Sequence, residues 1–140
     1  MEKQNYSNHT RIHPLFHFGL TAGVLAVLVT SIIYAATGGE LVTALFMILV
    51  SVCLILFFIF IRTYPLKAQD RAIRAEENLR YYALTGKLLD SSLTMNQIVA
   101  LRFAPDAEFP GLAEKAAAEK LAPKEIKQSI QNWKADHNRI

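Results

Sequence analysis

Residues 15–37, LFHFGLTAGVLAVLVTSIIYAAT, and residues 41–61, LVTALFMILVSVCLILFFIFI, decide the fold. Neither run contains Asp, Glu, Lys or Arg. Wound as an α-helix at about 1.5 Å per residue, each spans about 30 Å, the thickness of a bilayer's hydrocarbon core. Lipid offers no partner to backbone N–H and C=O groups, so each run is predicted to be a helix that satisfies its own backbone. The link between them, Gly38-Gly39-Glu40, allows only an antiparallel hairpin with both chain ends on one side. A signal peptide is excluded because the first run exceeds an h-region and a second span follows at once.

The flanks orient the hairpin. Lys3 and Arg11 precede the first run, and Arg62, Lys67, Arg71 and Arg74 follow the second, whereas the connecting loop carries no Lys or Arg. The positive-inside rule then expects both termini in the cytoplasm and a multi-pass protein of a bacterial inner (plasma) membrane. The 140-residue chain is 52% hydrophobic with a formal charge of +3. That modest basicity reads as cytoplasmic flanking charge, and no nucleic acid is expected as a partner. The single cysteine, Cys53, excludes an intramolecular disulfide and reads as a small apolar residue.

The expected organisation is all-α. It comprises a cytoplasmic segment (1–14), a first transmembrane helix (15–37), a short external loop (38–40), a second transmembrane helix (41–63), an amphipathic cytoplasmic helix (64–88) and a small helical tail domain (89–140). Gly19, Gly23, Ala26 and Thr30 form a small-residue face with a G-x-x-x-G spacing. The expectation is that this face packs on a helix, first of all the protein's own second span. Pro65 is expected to mark the membrane exit. Beyond it Ala68, Ala72, Ala75, Leu79 and Tyr82 recur at 4-3-4-3 spacing, an alanine-rich stripe suited to close helix packing.

In the tail, Gly86 is expected to end a helix. Thr94 and Gln97 form a capping-box pattern. Asp106 is expected to cap the helix that follows, with Glu108 in its first turn and Pro110 tolerated there. Pro123 opens a last helix in which Ile126, Ile130 and Trp133 fall at i, i+4 and i+7. Leu101, Phe103, Ile126, Ile130 and Trp133 are expected to form the tail's core or an interface, leaving Lys124, Lys127, Gln131 and Lys134 solvated. Arg102, between Leu101 and Phe103, is expected to bury its stem and to require Asp106 or Asp136 as an ion partner.

Chemistry is sparse. Nucleotide-binding glycine loops, H-E-x-x-H and paired cysteines are all absent, and the two spans hold no ionisable group for a proton or ion path. No catalytic residue, metal or cofactor is expected. The alternative is a metal- or haem-binding membrane protein using His9, His13 and His17, which fall at i, i+4 and i+8. Against it, Pro14 disfavours helical geometry at His13, and the second span supplies no second haem ligand. The leading expectation is a non-enzymatic accessory or interaction subunit of a membrane complex. Its partners would be the lipid bilayer and other membrane proteins or a second copy of the chain. A membrane-surface sensor or scaffold is a third reading.

The segments Gln4–Arg11, Pro14–Phe18, Gln69–Glu77, Ala100–Asp106, Glu125–Lys127 and Trp133–Asp136 together resemble a family of small bacterial two-span membrane proteins known only as a domain of unknown function. The likeness covers essentially the whole chain, and Leu101-Arg102-Phe103-Ala104 is its most specific part. The resemblance implies two spans and a helical tail and supplies no activity.

Overall fold

The computed structural model describes residues 5–8 and 12–136, and among them the chain is all-α. A π-helical stretch, Leu15–Leu20, leads directly into α1 (Thr21–Ala36). Then follow α2 (Leu41–Thr85), α3 (Met95–Leu101), α4 (Phe109–Ala118) and α5 (Pro123–Ser129). The chain divides into two compact units, one spanning Arg11–Pro65 and the other built on Leu66–Ile140, and α2 contributes to both. The second span and the amphipathic helix expected after it are therefore one continuous element. Pro65 lies inside α2. A proline removes one N–H and crowds one carbonyl, and here the helix continues on both sides of it.

In the first unit a helical hairpin closes on a tight loop. Thr37 ends α1, Gly38 takes φ +84°, and the Gly39 N–H reaches back 3.0 Å to the Tyr34 carbonyl. This is the Schellman arrangement, in which a glycine adopts the left-handed conformation after the last helical residue. Gly39 is constrained differently: a Cβ there would collide with the Tyr34 ring.

The seam between the two helices is not the small-residue face. Gly19, Gly23, Ala26 and Thr30 all lie exposed, and nothing stands within 4 Å of where a Gly23 Cβ would be. The shielded positions of α1 are instead Thr21, Val24, Leu28, Ser31 and Tyr34, facing Ala44, Met47, Ile48 and Ser51 of α2. At the centre Ser31 and Ser51 are fully buried, their hydroxyls 2.9 Å apart. Ser31 Oγ also donates to the Val27 carbonyl at 2.7 Å, with the Met47 carbonyl across the seam 3.3 Å away. Small hydroxyl side chains let two backbones approach and hydrogen-bond across an apolar interface, the task the sequence reading gave to glycine. At the open end Phe16 stacks on Phe58, with ring centroids 5.0 Å apart. The Arg62 guanidinium sits 5.9 Å over the Phe16 ring.

The second unit is a bundle of short helices around the latter part of α2. Leu101, Phe103, Ala104, Phe109 and Ile126 are buried at its centre, with Ile98, Leu112, Ala116 and Ile130 around them. Local chemistry sets each helix end. The Thr94 N–H donates 2.8 Å to Gln97 Oε1 while Thr94 Oγ1 receives the Gln97 N–H, a complete capping box. Pro123 occupies the first turn of α5, and Glu125 reaches back to the Ala122 N–H at 2.6 Å. Gly86 closes α2 with φ +73°. Lys120 closes α4 with φ +52°, and the Leu121 N–H bonds the Ala116 carbonyl at 3.2 Å. Lysine stands there in the left-handed position that glycine ordinarily fills.

Helix α5 ends at Ser129, with Ile130 already extended, so Trp133 is not on the helix the 3.6-residue spacing predicts. Trp133 reaches the core from an extended strap. Its ring lies 5.0 Å from that of Phe103, and the Lys134 N–H donates to the Phe103 carbonyl at 2.8 Å.

The two helix ends respond oppositely to substitution. Lys120→Gly is expected to raise the stability of the tail by about 0.5–1 kcal/mol, because relief of the left-handed strain exceeds the added chain entropy. Gly39→Ala is expected to lower the hairpin's stability. Thermal unfolding of the full-length protein in detergent, followed by circular dichroism, checks both signs.

Candidate functional site

The most elaborate polar arrangement in the described chain lies where α2 meets the short helices. It is built on the α2 face that carries Ile73, Glu77 and Tyr81, one turn apart and all buried. Arg80 is its hub. Its Nε donates 2.7 Å to Asp106, Nη1 donates 2.9 Å to Glu77, and Nη2 donates 2.7 Å to the Ala104 carbonyl. The guanidinium plane also lies 4.4 Å over the Phe109 ring. Only arginine presents several donors in a rigid plane together with a face that stacks on an aromatic ring.

Neighbouring side chains extend the grip. Arg74 Nη2 donates to the Leu93 carbonyl at 3.2 Å, and Asn78 Oδ1 accepts the Leu89 N–H at 3.1 Å. The Tyr81 ring packs edge-on against Phe109, and its hydroxyl lies 3.4 Å from Glu114. Burial, reinforced by the Glu114 and Asp90 carboxylates, pushes the Tyr81 phenol above its ordinary value. Tyr81 therefore stays a neutral donor.

A second node fixes the strap. Arg102 is buried, its guanidinium 4.7 Å over Phe103 and 3.3 Å from Asp136. Of the two acids considered for Arg102, Asp136 is the one it meets; Asp106 belongs to Arg80. Asp106 therefore does not cap α4. Glu108 stands at the N-cap of α4, and its carboxylate turns away from its own helix to the strap. It accepts the Gln131 and Asn132 N–H groups at 3.0 Å each and the Asn132 side-chain amide at 2.9 Å. Partial burial would raise the Glu108 carboxyl, but these bonds outweigh it and hold it below its ordinary value. A cleft of about 390 Å³ lies beside this node, between Ile73, Glu76 and Glu77 on one side and Arg102, Lys134 and Asp136 on the other.

The remaining candidates are dispersed. Leu101, Phe103, Ile126, Ile130 and Trp133 meet in one core. Among the residues expected to be solvated, Lys124, Gln131 and Lys134 are exposed, while Lys127 lies 5.8 Å over the Phe103 ring. His17 does not point a free pair of nitrogens outward, because its Nδ1 lies 3.0 Å from the His13 carbonyl. His9 lies outside the described residues. Among the described residues no three His, Cys, Asp or Glu side chains gather closely enough to hold a metal, so the geometry gives the metal or haem reading no support. Cys53 is exposed along an apolar groove of about 530 Å³ lined by Phe57, Phe60, Tyr64 and Pro65.

The sequence stripe Ala68, Ala72, Ala75, Leu79 and Tyr82 is not the face that packs. All five are exposed, on the side of α2 opposite Ile73, Glu77 and Tyr81. The packed face is mostly polar, so a search for apolar periodicity passes it over. The signal that could have found it is the close spacing of Arg74, Glu77, Asn78 and Arg80 beside Ile73 and Tyr81.

The chain belongs to the Family of unknown function DUF6526, whose profile matches residues 1–140. No curated protein and no solved structure matches it.

Arg80 and Glu108 give two tests. Arg80→Ala leaves Glu77 buried without its counter-charge and is expected to destabilise the tail by about 3–5 kcal/mol. Asp106→Asn, at an exposed partner, should cost at most about 1 kcal/mol. Denaturant titration of the full-length protein separates them. For Glu108 the folded pKa is depressed. Its contribution is complete above the ordinary glutamate range and is lost as pH falls through the lower folded value. Wild-type thermal stability should therefore fall on acidification by more than that of Glu108→Gln, which has already lost the charge-assisted bonds at neutral pH.

Proposed function

We propose that this chain is an integral membrane protein with two spans and both termini in the cytoplasm of a plasma membrane. Its hairpin anchors a helical domain that serves, without catalysis, as an accessory or interaction subunit. One observation carries the reading. In the two apolar segments, with mean hydropathy 2.0 and 3.2, only 6% and 11% of the residues are buried within the chain. Leu45, Phe46, Leu49 and Phe57 are more than half exposed, Phe57 at 73%. In water such a belt would forfeit about 25 cal/mol for every Å² of apolar surface left uncovered, whereas acyl chains cover it. Ser31 and Ser51 fit the same setting, because they settle their hydrogen bonds within the hairpin.

The orientation rests on Arg62, Lys67, Arg71 and Arg74 after the second span and on the absence of Lys and Arg from the loop. The non-catalytic reading rests on how the tail uses its polar groups. Arg80, Glu77, Arg102 and Glu108 are committed to one another and to the backbone, which builds a rigid domain. What such a domain offers others is its outer surface.

Labelling with a membrane-impermeant maleimide tests the topology in a Cys53→Ala background. Glu40→Cys is the loop probe, because a side chain at Gly39 would strike Tyr34. Intact cells should label Glu40→Cys and spare Ser91→Cys until they are permeabilised. External labelling of Ser91→Cys would overturn the orientation, and release of the protein by alkaline carbonate would overturn the membrane reading. Migration as a lone monomer after extraction in mild detergent would count against an interaction subunit.

A further inference from the structure

We propose that the exposed stripe of α2, Ala68, Ala72, Ala75, Leu79 and Tyr82, is a homodimer seam on which a second copy of this chain docks as a short parallel coiled coil. The 4-3-4-3 spacing assigns Ala72 and Leu79 to a positions and Ala68, Ala75 and Tyr82 to d positions of a heptad. The opposite side of the same helix, Ile73, Glu77 and Tyr81, is already covered by the chain's own bundle. The a and d side is left bare, with Leu79 68% and Tyr82 55% exposed. These two lie on the helical domain, after Arg62, Lys67, Arg71 and Arg74, where the apolar belt has ended.

Charge selects the occupant. In this register Arg71 is a g position and Glu76 is the following e position, five residues on. In a parallel two-stranded coil a g residue of one helix faces that e residue of the other, so a second copy meets Arg71 with Glu76 and Glu76 with Arg71. Both side chains are exposed, and neither makes an ion pair or hydrogen bond within the described chain. Arg71 has Lys67 and Arg74 as its helical neighbours and no acid at three or four residues' distance. Glu76 has Arg80 at i+4, but that guanidinium is committed to Glu77, Asp106 and Ala104. Among the described residues neither charge has a partner, and each finds one in a symmetry-related copy.

The parallel direction rests on the membrane reading above. Two copies inserted with the same topology present this helix in the same sense, and confinement to one bilayer raises the effective concentration for so short a seam. Alanine at Ala68, Ala72 and Ala75 brings the helices close at one end, while Leu79 and Tyr82 supply bulk at the other.

The test is disulfide cross-linking of the full-length protein in proteoliposomes, in a Cys53→Ala background. In a parallel two-fold coil an a position meets its own copy. Leu79→Cys should therefore form a dimer of twice the monomer mass on mild oxidation, while Glu119→Cys, exposed just after α4, should not. Arg71→Glu and Glu76→Arg should each lower the Leu79→Cys yield about tenfold, as two symmetry-related pairs turn repulsive. The double reversal Arg71→Glu with Glu76→Arg should restore it, which a misfolded variant would not do. Equal yields at positions 79 and 119, or a yield indifferent to both reversals, would overturn the proposal. Cross-linking of Ala72→Cys to Leu79→Cys without self-pairing would do the same. Carbonate extraction of the same samples reads the membrane reading separately.

Discussion

The Arg80 guanidinium holds the tail domain together. It joins its own helix, through Glu77, to a stretch distant in sequence: the turn after α3, through the Ala104 carbonyl and Asp106, and the start of α4 just beyond it, through the Phe109 ring. A domain of this size has little apolar surface to spend against its conformational entropy. Fixing the crossing of a long helix over short ones through a planar ion, rather than by further aliphatic burial, gives that crossing one geometry. Arg74 and Asn78 add the same kind of restraint to the Leu89–Leu93 segment.

Because α2 grips its bundle with charged and amide side chains, its alanine and leucine side is left free. The inward face of this stretch is mixed: Glu77, Asn78 and Arg80 turn in beside Ile73 and Tyr81 with their hydrogen bonds made, while Ala68, Ala72, Ala75, Leu79 and Tyr82 face out. An outward apolar stripe flanked by the exposed Arg71 and Glu76 distinguishes this helix from a solvated spacer, and it leaves a second surface without weakening the first.

The hairpin follows a related rule. Between these two apolar helices, close approach and a few internal hydrogen bonds decide which faces meet. Ser31 and Ser51 provide both. The bulky apolar residues of both helices are turned outward, and the glycine face of α1 is left outside the seam.

Several features that depend only on near neighbours were legible in the sequence. The lengths of the apolar runs, the Gly38-Gly39 break, the Thr94–Gln97 capping box, Pro123 at the start of α5 and Gly86 at the end of α2 are all settled within a few residues. So is the apolar identity of Leu101, Phe103 and Ile126. Tertiary structure alone decided which side of each helix is used. Hydrophobic periodicity marks Ala68 to Tyr82, yet the face opposite is buried, because the Arg74 and Arg80 guanidinium groups donate to acceptors 19 and 26 residues away and the Asn78 side-chain oxygen accepts an N–H 11 residues away, pairings that no local pattern reveals. The same holds for Ser31 with Ser51, for Arg102 with Asp136 and for Glu108 with the strap. Each is a polar group whose environment is set by a partner distant in sequence, and its hydrogen bond becomes strong only once the intervening chain has brought the two out of water.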